Sequence, residues 1–161
     1  MKSFLRLSLI ASTLLLGSAV FATDTAPAAV PAPTAPGPKE KKPETELSKQ
    51  MEKLNGAFRK LRRQAADATK NADSLEQVAI LKKYGEESLK LEPFKATEVP
   101  AADKAKMIEG YKAKMKDFLT AVGKLEEAFK ANNNEEAAKI VQSLGAMQKE
   151  GHKEYKSKSI D

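Results

Sequence analysis

From residue 44 onward, apolar side chains recur in alternating steps of three and four. Leu47, Met51, Leu54, Phe58, Leu61, Ala65 and Ala68 make one such run. Ile108, Tyr111, Met115, Phe118, Val122, Leu125 and Phe129 make another. This spacing lines up one stripe along an α-helix and packs it lengthwise against other helices. A sheet requires alternation of period two, and no stretch of the chain sustains it.

Two further segments are helical by the same criterion. About 74–91 carries Leu75, Val78, Leu81, Tyr84, Leu89 and Leu91, a less regular stripe weakened by Gly85. About 134–157 carries Ala137, Val141, Leu144, Gln148, His152 and Tyr155 along one face. Between the four segments stand "NADS" (71–74), "EPFKATEVPAAD" (92–103) and "NNN" (132–134), which read as turn, loop and stop signals. Four helices with short first and third connections predict an all-α, antiparallel up-down-up-down four-helix bundle over 44–161. A two-chain coiled coil fits less well, because the turns break the heptads into hairpins.

The chain ahead of the bundle is different in kind. Lys2 and Arg6 precede an apolar run, "LSLIASTLLLGSAV" (7–20), and Val20 and Ala22 occupy the −3 and −1 positions of a cleavage site. Residues 1–22 are therefore expected to be a secretory signal peptide, with no membrane span after its removal. A permanent anchor is the lesser fit, since the run is short for a span of about 20 residues. Residues 23–43 are dense in Pro and Ala without periodicity and are expected to be a semi-rigid linker. Export of a small domain by a short signal points to the periplasm.

The 161-residue chain has no cysteine and one histidine. Without cysteine there is no disulfide, no lipid-modified cysteine and no covalent haem through C-x-x-C-H. One histidine cannot supply the paired Glu-x-x-His motifs of a di-iron carboxylate bundle. There is no Gly-rich phosphate loop, and nothing in the sequence supports an enzyme. The net charge is +6, falling to +4 once Lys2 and Arg6 leave with the signal. Lys and Glu are interspersed, as on a solvated surface. "FRKLRRQ" (58–64) is the densest basic stretch, but aromatic residues do not alternate with its charges, so nucleic acid is not an expected partner.

Antiparallel topology sets the start of the first helix beside the end of the fourth. Met51 then lies roughly 8–10 Å from the same end of the bundle as His152, at ~1.5 Å per residue. A thioether and an imidazole facing each other there suit haem iron, with His as the strong donor and Met as a soft sixth ligand. Leu54, Phe58, Phe118 and Leu144 are placed to give the apolar walls. Two protein ligands on one iron favour electron transfer over oxygen activation. Either residue alone has a plainer reading, methionine as core filler and histidine as a solvated group at a helix C-terminus.

"MEKLN" (51–55), "EEAAKIVQSL" (135–144) and "GHKEYK" (151–156) resemble the first and last helices of the soluble cytochrome b562 family, and Phe118 falls where that family packs a phenylalanine on its haem. The resemblance covers about 45–157. It implies a periplasmic electron-transfer protein with one non-covalent haem b, Met51 and His152 as axial ligands, and a redox partner protein not readable from the sequence. Two positions depart from the pattern: Gln148 replaces an arginine one turn before the histidine, and Gly151 precedes it. Lys156, near the open end, is a candidate contact for a haem propionate or a redox partner. The competing expectation is a haem-free periplasmic bundle with a binding or chaperone-like role.

Overall fold

The computed structural model describes residues 44–159. The expected signal peptide (1–22) and linker (23–43) lie outside these residues. Four α-helices, α1 (Glu46–Gln64), α2 (Asn71–Ser88), α3 (Ala101–Lys130) and α4 (Asn134–Tyr155), are joined in an antiparallel bundle, with no strand among the described residues. A 3-10 turn, Ala68–Lys70, lies between α1 and α2, and another, Phe94–Thr97, between α2 and α3. Among the described residues, no helix is long and apolar enough to cross a membrane.

Local chemistry explains the boundaries. Thr45 caps α1: its hydroxyl accepts the Ser48 N–H at 3.0 Å, and its own N–H donates to the Ser48 hydroxyl at 2.9 Å. This reciprocal capping satisfies two otherwise orphaned donors. α3 ends in a Schellman motif. The Asn133 N–H donates to the Ala128 carbonyl at 2.8 Å and the Asn132 N–H to the Phe129 carbonyl at 3.0 Å. Asn132 takes φ 54°, a left-handed conformation that asparagine tolerates better than most residues. Asn133 then caps α4 by accepting the Glu136 N–H at 3.1 Å.

Two boundaries differ from expectation. "NADS" is not the first turn; it is the opening of α2, and the turn lies at 65–70. The Asn71 amide reaches across the end of the bundle instead. It donates to the side-chain oxygens of Asn132 (2.9 Å) and Asn134 (3.2 Å), while the Asn134 amide donates to the Ala65 carbonyl (2.8 Å) and the Asn71 side chain (2.7 Å). The 92–103 loop is also shorter than expected, because α3 begins at Ala101 directly after Pro100. Proline suits that entry, where a missing N–H costs nothing.

The core holds Leu54, Phe58, Leu61, Val78, Leu81, Val122, Leu125, Phe129, Val141 and Leu144, all buried. α2 packs on the expected stripe in part: Val78 and Leu81 are buried, and Leu75, Tyr84 and Leu89 pack against the core from its flank. Leu75, Tyr84, Leu89 and Leu91 are only half-buried. The buried face is Asn71, Ser74, Val78, Leu81, Gly85 and Ser88, in the same three-four spacing but largely small or polar. Small residues let α3 come close: a methyl at Gly85 would stand 2.8 Å from the Leu119 Cδ2.

Candidate ligand site

At the end of the bundle that holds the start of α1 and the end of α4, a cavity of about 380 Å³ opens between helices. Of the neighbouring helix pairs, α1 and α4 touch least, and residues of both line this cavity. α1 contributes Met51, Leu54 and Phe58; α3 contributes Tyr111, Met115 and Phe118; α4 contributes Met147 and His152. The volume falls within the usual range of small-molecule sites.

The register across the gap follows from one contact. A methyl at Gly145 of α4 would stand 3.6 Å from the Phe58 ring of α1, so these residues are level. The helices run in opposite directions. Seven residues back along α1 and seven forward along α4 reach Met51 and His152, which therefore lie within about a turn of one level. On the other side, Lys114 pairs with Glu150 at 2.9 Å, and a methyl at Gly110 would stand 2.7 Å from the Tyr155 hydroxyl oxygen. That register puts Phe118 close to the level of Met147, roughly 7 Å deeper than His152 at ~1.5 Å per residue.

Burial grades along this line. Leu54 and Phe58 are buried, Met51 and Phe118 half-buried, and His152 exposed. The expectation put His152 on the inner face of the fourth helix. It does line the cavity, but as an exposed residue at the mouth, in the last turn of α4, which ends three residues later. Leu144 differs more: it is 0 % exposed and is not part of the lining. It sits on the core face of α4, adjacent to the Gly145 that touches Phe58. Gln148 and Gly151 both line the cavity, and a methyl at Gly151 would meet nothing within 4 Å.

Charged groups gather at the rim. Glu52, Lys114, Asp117, Glu150 and Lys156 all border the cavity. The hydrogen bond and charge of Glu150 hold the Lys114 ammonium above its ordinary pKa. In the cavity wall, Tyr111 and Tyr155 meet edge to face with centroids 5.8 Å apart. The Tyr111 hydroxyl donates to the Ser88 carbonyl at 3.1 Å, and burial raises its pKa. Burial first, then Glu154, pushes the Tyr155 phenol up to about 12.

Several lining residues escape a reading by periodicity. Pro93 and Phe94, from the α2–α3 connection, fold under the end of the bundle and line the cavity beside Tyr155 and Ser157. No periodic signal marks them. Met147 lies off the α4 stripe, yet three methionines, Met51, Met115 and Met147, face the same space.

A four-helix bundle with a ligand-sized cavity at one open end, walled by leucine, phenylalanine and methionine with a histidine at the mouth, defines a class of cofactor-binding bundle. The sequence model of the family described as cytochrome b562 matches residues 46–156, and the chain belongs to the cytochrome b562 family. No curated protein matches the chain, and no solved structure does. Membership implies a b-type haem cofactor. The donors present fit that group: a thioether and an imidazole near one level of one cavity, with apolar side chains deeper in.

Proposed function

We propose that this protein holds one haem b non-covalently, with Met51 and His152 as axial ligands, and carries electrons in the periplasm. The observation that supports this most is the pairing of Met51 and His152 at one level of one cavity. Haem, when bound, supplies a one-electron iron couple whose potential the ligands and surroundings set. The chain's own residues divide the remaining work. The Met51 thioether is a soft, neutral donor that favours the reduced metal, and the His152 imidazole is the stronger donor. Leu54, Phe58, Met115 and Phe118 exclude water from the deep part of the cavity and lower its dielectric. Lys114, paired with Glu150, and Lys156 are the cationic side chains that border the cavity and could meet anionic groups of the haem. The signal-peptide pattern expected in residues 1–22 is what favours the periplasmic location.

The test is direct. The full chain is expressed for export, the periplasmic fraction is examined for pigment, and the purified apoprotein is titrated with haemin. Saturation at one equivalent and sharp low-spin bands on reduction are expected. A colourless periplasmic protein that takes up no haemin stoichiometrically would refute the proposal and favour the haem-free bundle.

A further inference from the structure

The last turn of α4 is poorly suited to hold an imidazole still. Its final carbonyls lack intrahelical partners. Gly151 weakens the turn, by about 1 kcal/mol relative to alanine. Lys153 and Glu154 are exposed and add no packing.

The α2–α3 connection grips this turn from outside. The Lys95 ammonium donates to the Glu154 carbonyl at 2.6 Å, capping the helix two residues after His152. Glu98 accepts the Ser157 hydroxyl at 2.6 Å and the Ser159 hydroxyl as well, while the Ser159 N–H donates to the Ser157 oxygen at 3.0 Å. Ser157 is buried at 3 % exposure, so the chain leaving α4 is drawn in rather than released. Between these two grips, Tyr155 lies edge-on to Tyr111 and against the bare backbone at Gly110. The His152 carbonyl accepts the Lys156 N–H at 3.1 Å, which ties the turn directly to the held segment.

We infer that Lys95 and Glu98 are positioning residues for His152: they fix the end of α4 so that the imidazole stays level with Met51. This rests on the reading of His152 as an axial ligand. Neither residue touches the cavity, so each acts through the α4 backbone and the tail.

The test uses the haem-loaded full chain with Lys95→Met, Glu98→Gln, both together, and Lys95→Arg. Three quantities are read: the rate of haem transfer to excess apomyoglobin, the midpoint potential, and amide exchange over 152–157 in the haem-free protein. Lys95→Met and Glu98→Gln should each speed haem loss by about tenfold, the scale of one lost charge-assisted hydrogen bond. Each should also move the potential and raise exchange over 152–157 while leaving α1 and α2 amides unchanged. Lys95→Arg, which keeps a cationic donor, should restore the wild-type values. A wild type that takes up no haem overturns the functional reading, and this inference with it. A wild type that takes up haem while both variants keep its loss rate and potential overturns this inference alone.

Discussion

Leu144→Ala and Leu54→Ala should fail in opposite ways. Leu144 is completely buried and lies away from the cavity, whereas Leu54 is buried but forms part of its wall. Truncating Leu144 removes three carbons from water-free packing, about 2.4 kcal/mol at ~0.8 per methylene. It also opens a new void in a close-packed core, adding up to about 2 kcal/mol, for a total near 4. Truncating Leu54 forfeits the same transfer term but only enlarges a space that already exists, so about 2–3 kcal/mol is expected. Urea unfolding of the haem-free proteins, followed by helix signal, measures these differences as midpoint shifts of roughly 2 M and 1 M at m ≈ 2 kcal/mol/M. Haemin titration of the folded proteins measures the other half. Leu54→Ala should weaken haem binding by at least about tenfold, one wall side chain's worth of apolar contact; Leu144→Ala should leave it near the wild-type value. If folded Leu144→Ala loses haem affinity as severely as Leu54→Ala, Leu144 belongs to the cavity wall and the reasoning fails.

Two further perturbations test separate parts of the fold. Glu126 bridges α2 and α3 by pairing with Lys82 at 2.7 Å and Lys130 at 2.8 Å. Hydrogen bonds from Lys130 and then Lys82 hold its carboxyl down at about 2 from an ordinary 4.5. A folded-state pKa below the unfolded one stabilises at high pH: the contribution is complete above about 4.5 and is lost as pH falls towards 2. Glu126→Gln should therefore cost about 1 kcal/mol at pH 7 and nothing near pH 2, read from thermal unfolding across pH. Gly151→Ala places a methyl where nothing lies within 4 Å, and should stabilise the haem-free protein by up to about 1 kcal/mol in the same assay.

The outline of the bundle was legible because α1, α3 and α4 carry large apolar residues at helical spacing. α2 was harder for a physical reason. Its inner face keeps the three-four step but is built from Asn71, Ser74, Gly85 and Ser88 around Val78 and Leu81, so a hydrophobicity pattern catches only those two and otherwise marks the flank. The placement of Met51 and His152 in one cavity was legible because it depends on register. Met51 and His152 could be brought to one level by counting residues, and the Phe58–Gly145 contact gives the same level. Leu144 was assigned to the wall because it shares a stripe with His152, but a stripe at helical spacing is wide. Leu144 turns into the core while Met147, off the stripe, turns into the cavity. Pro93, Phe94, Lys95 and Glu98 were not legible at all. Their positions depend on how an irregular connection folds across a helix end, which residue spacing does not encode.

The proposed function stands or falls with Met51 and His152 as joint ligands of the iron. The most direct measurement is the reduced and oxidised spectrum of the haemin-reconstituted protein compared with Met51→Ala and His152→Ala. The account predicts a low-spin six-coordinate spectrum in the wild type, a change in spin state or ligation in each variant, and the weaker retention of haem in His152→Ala, which loses the stronger donor. Wild-type bands that persist unchanged in both variants would contradict it, since the ligands would then have to be other residues.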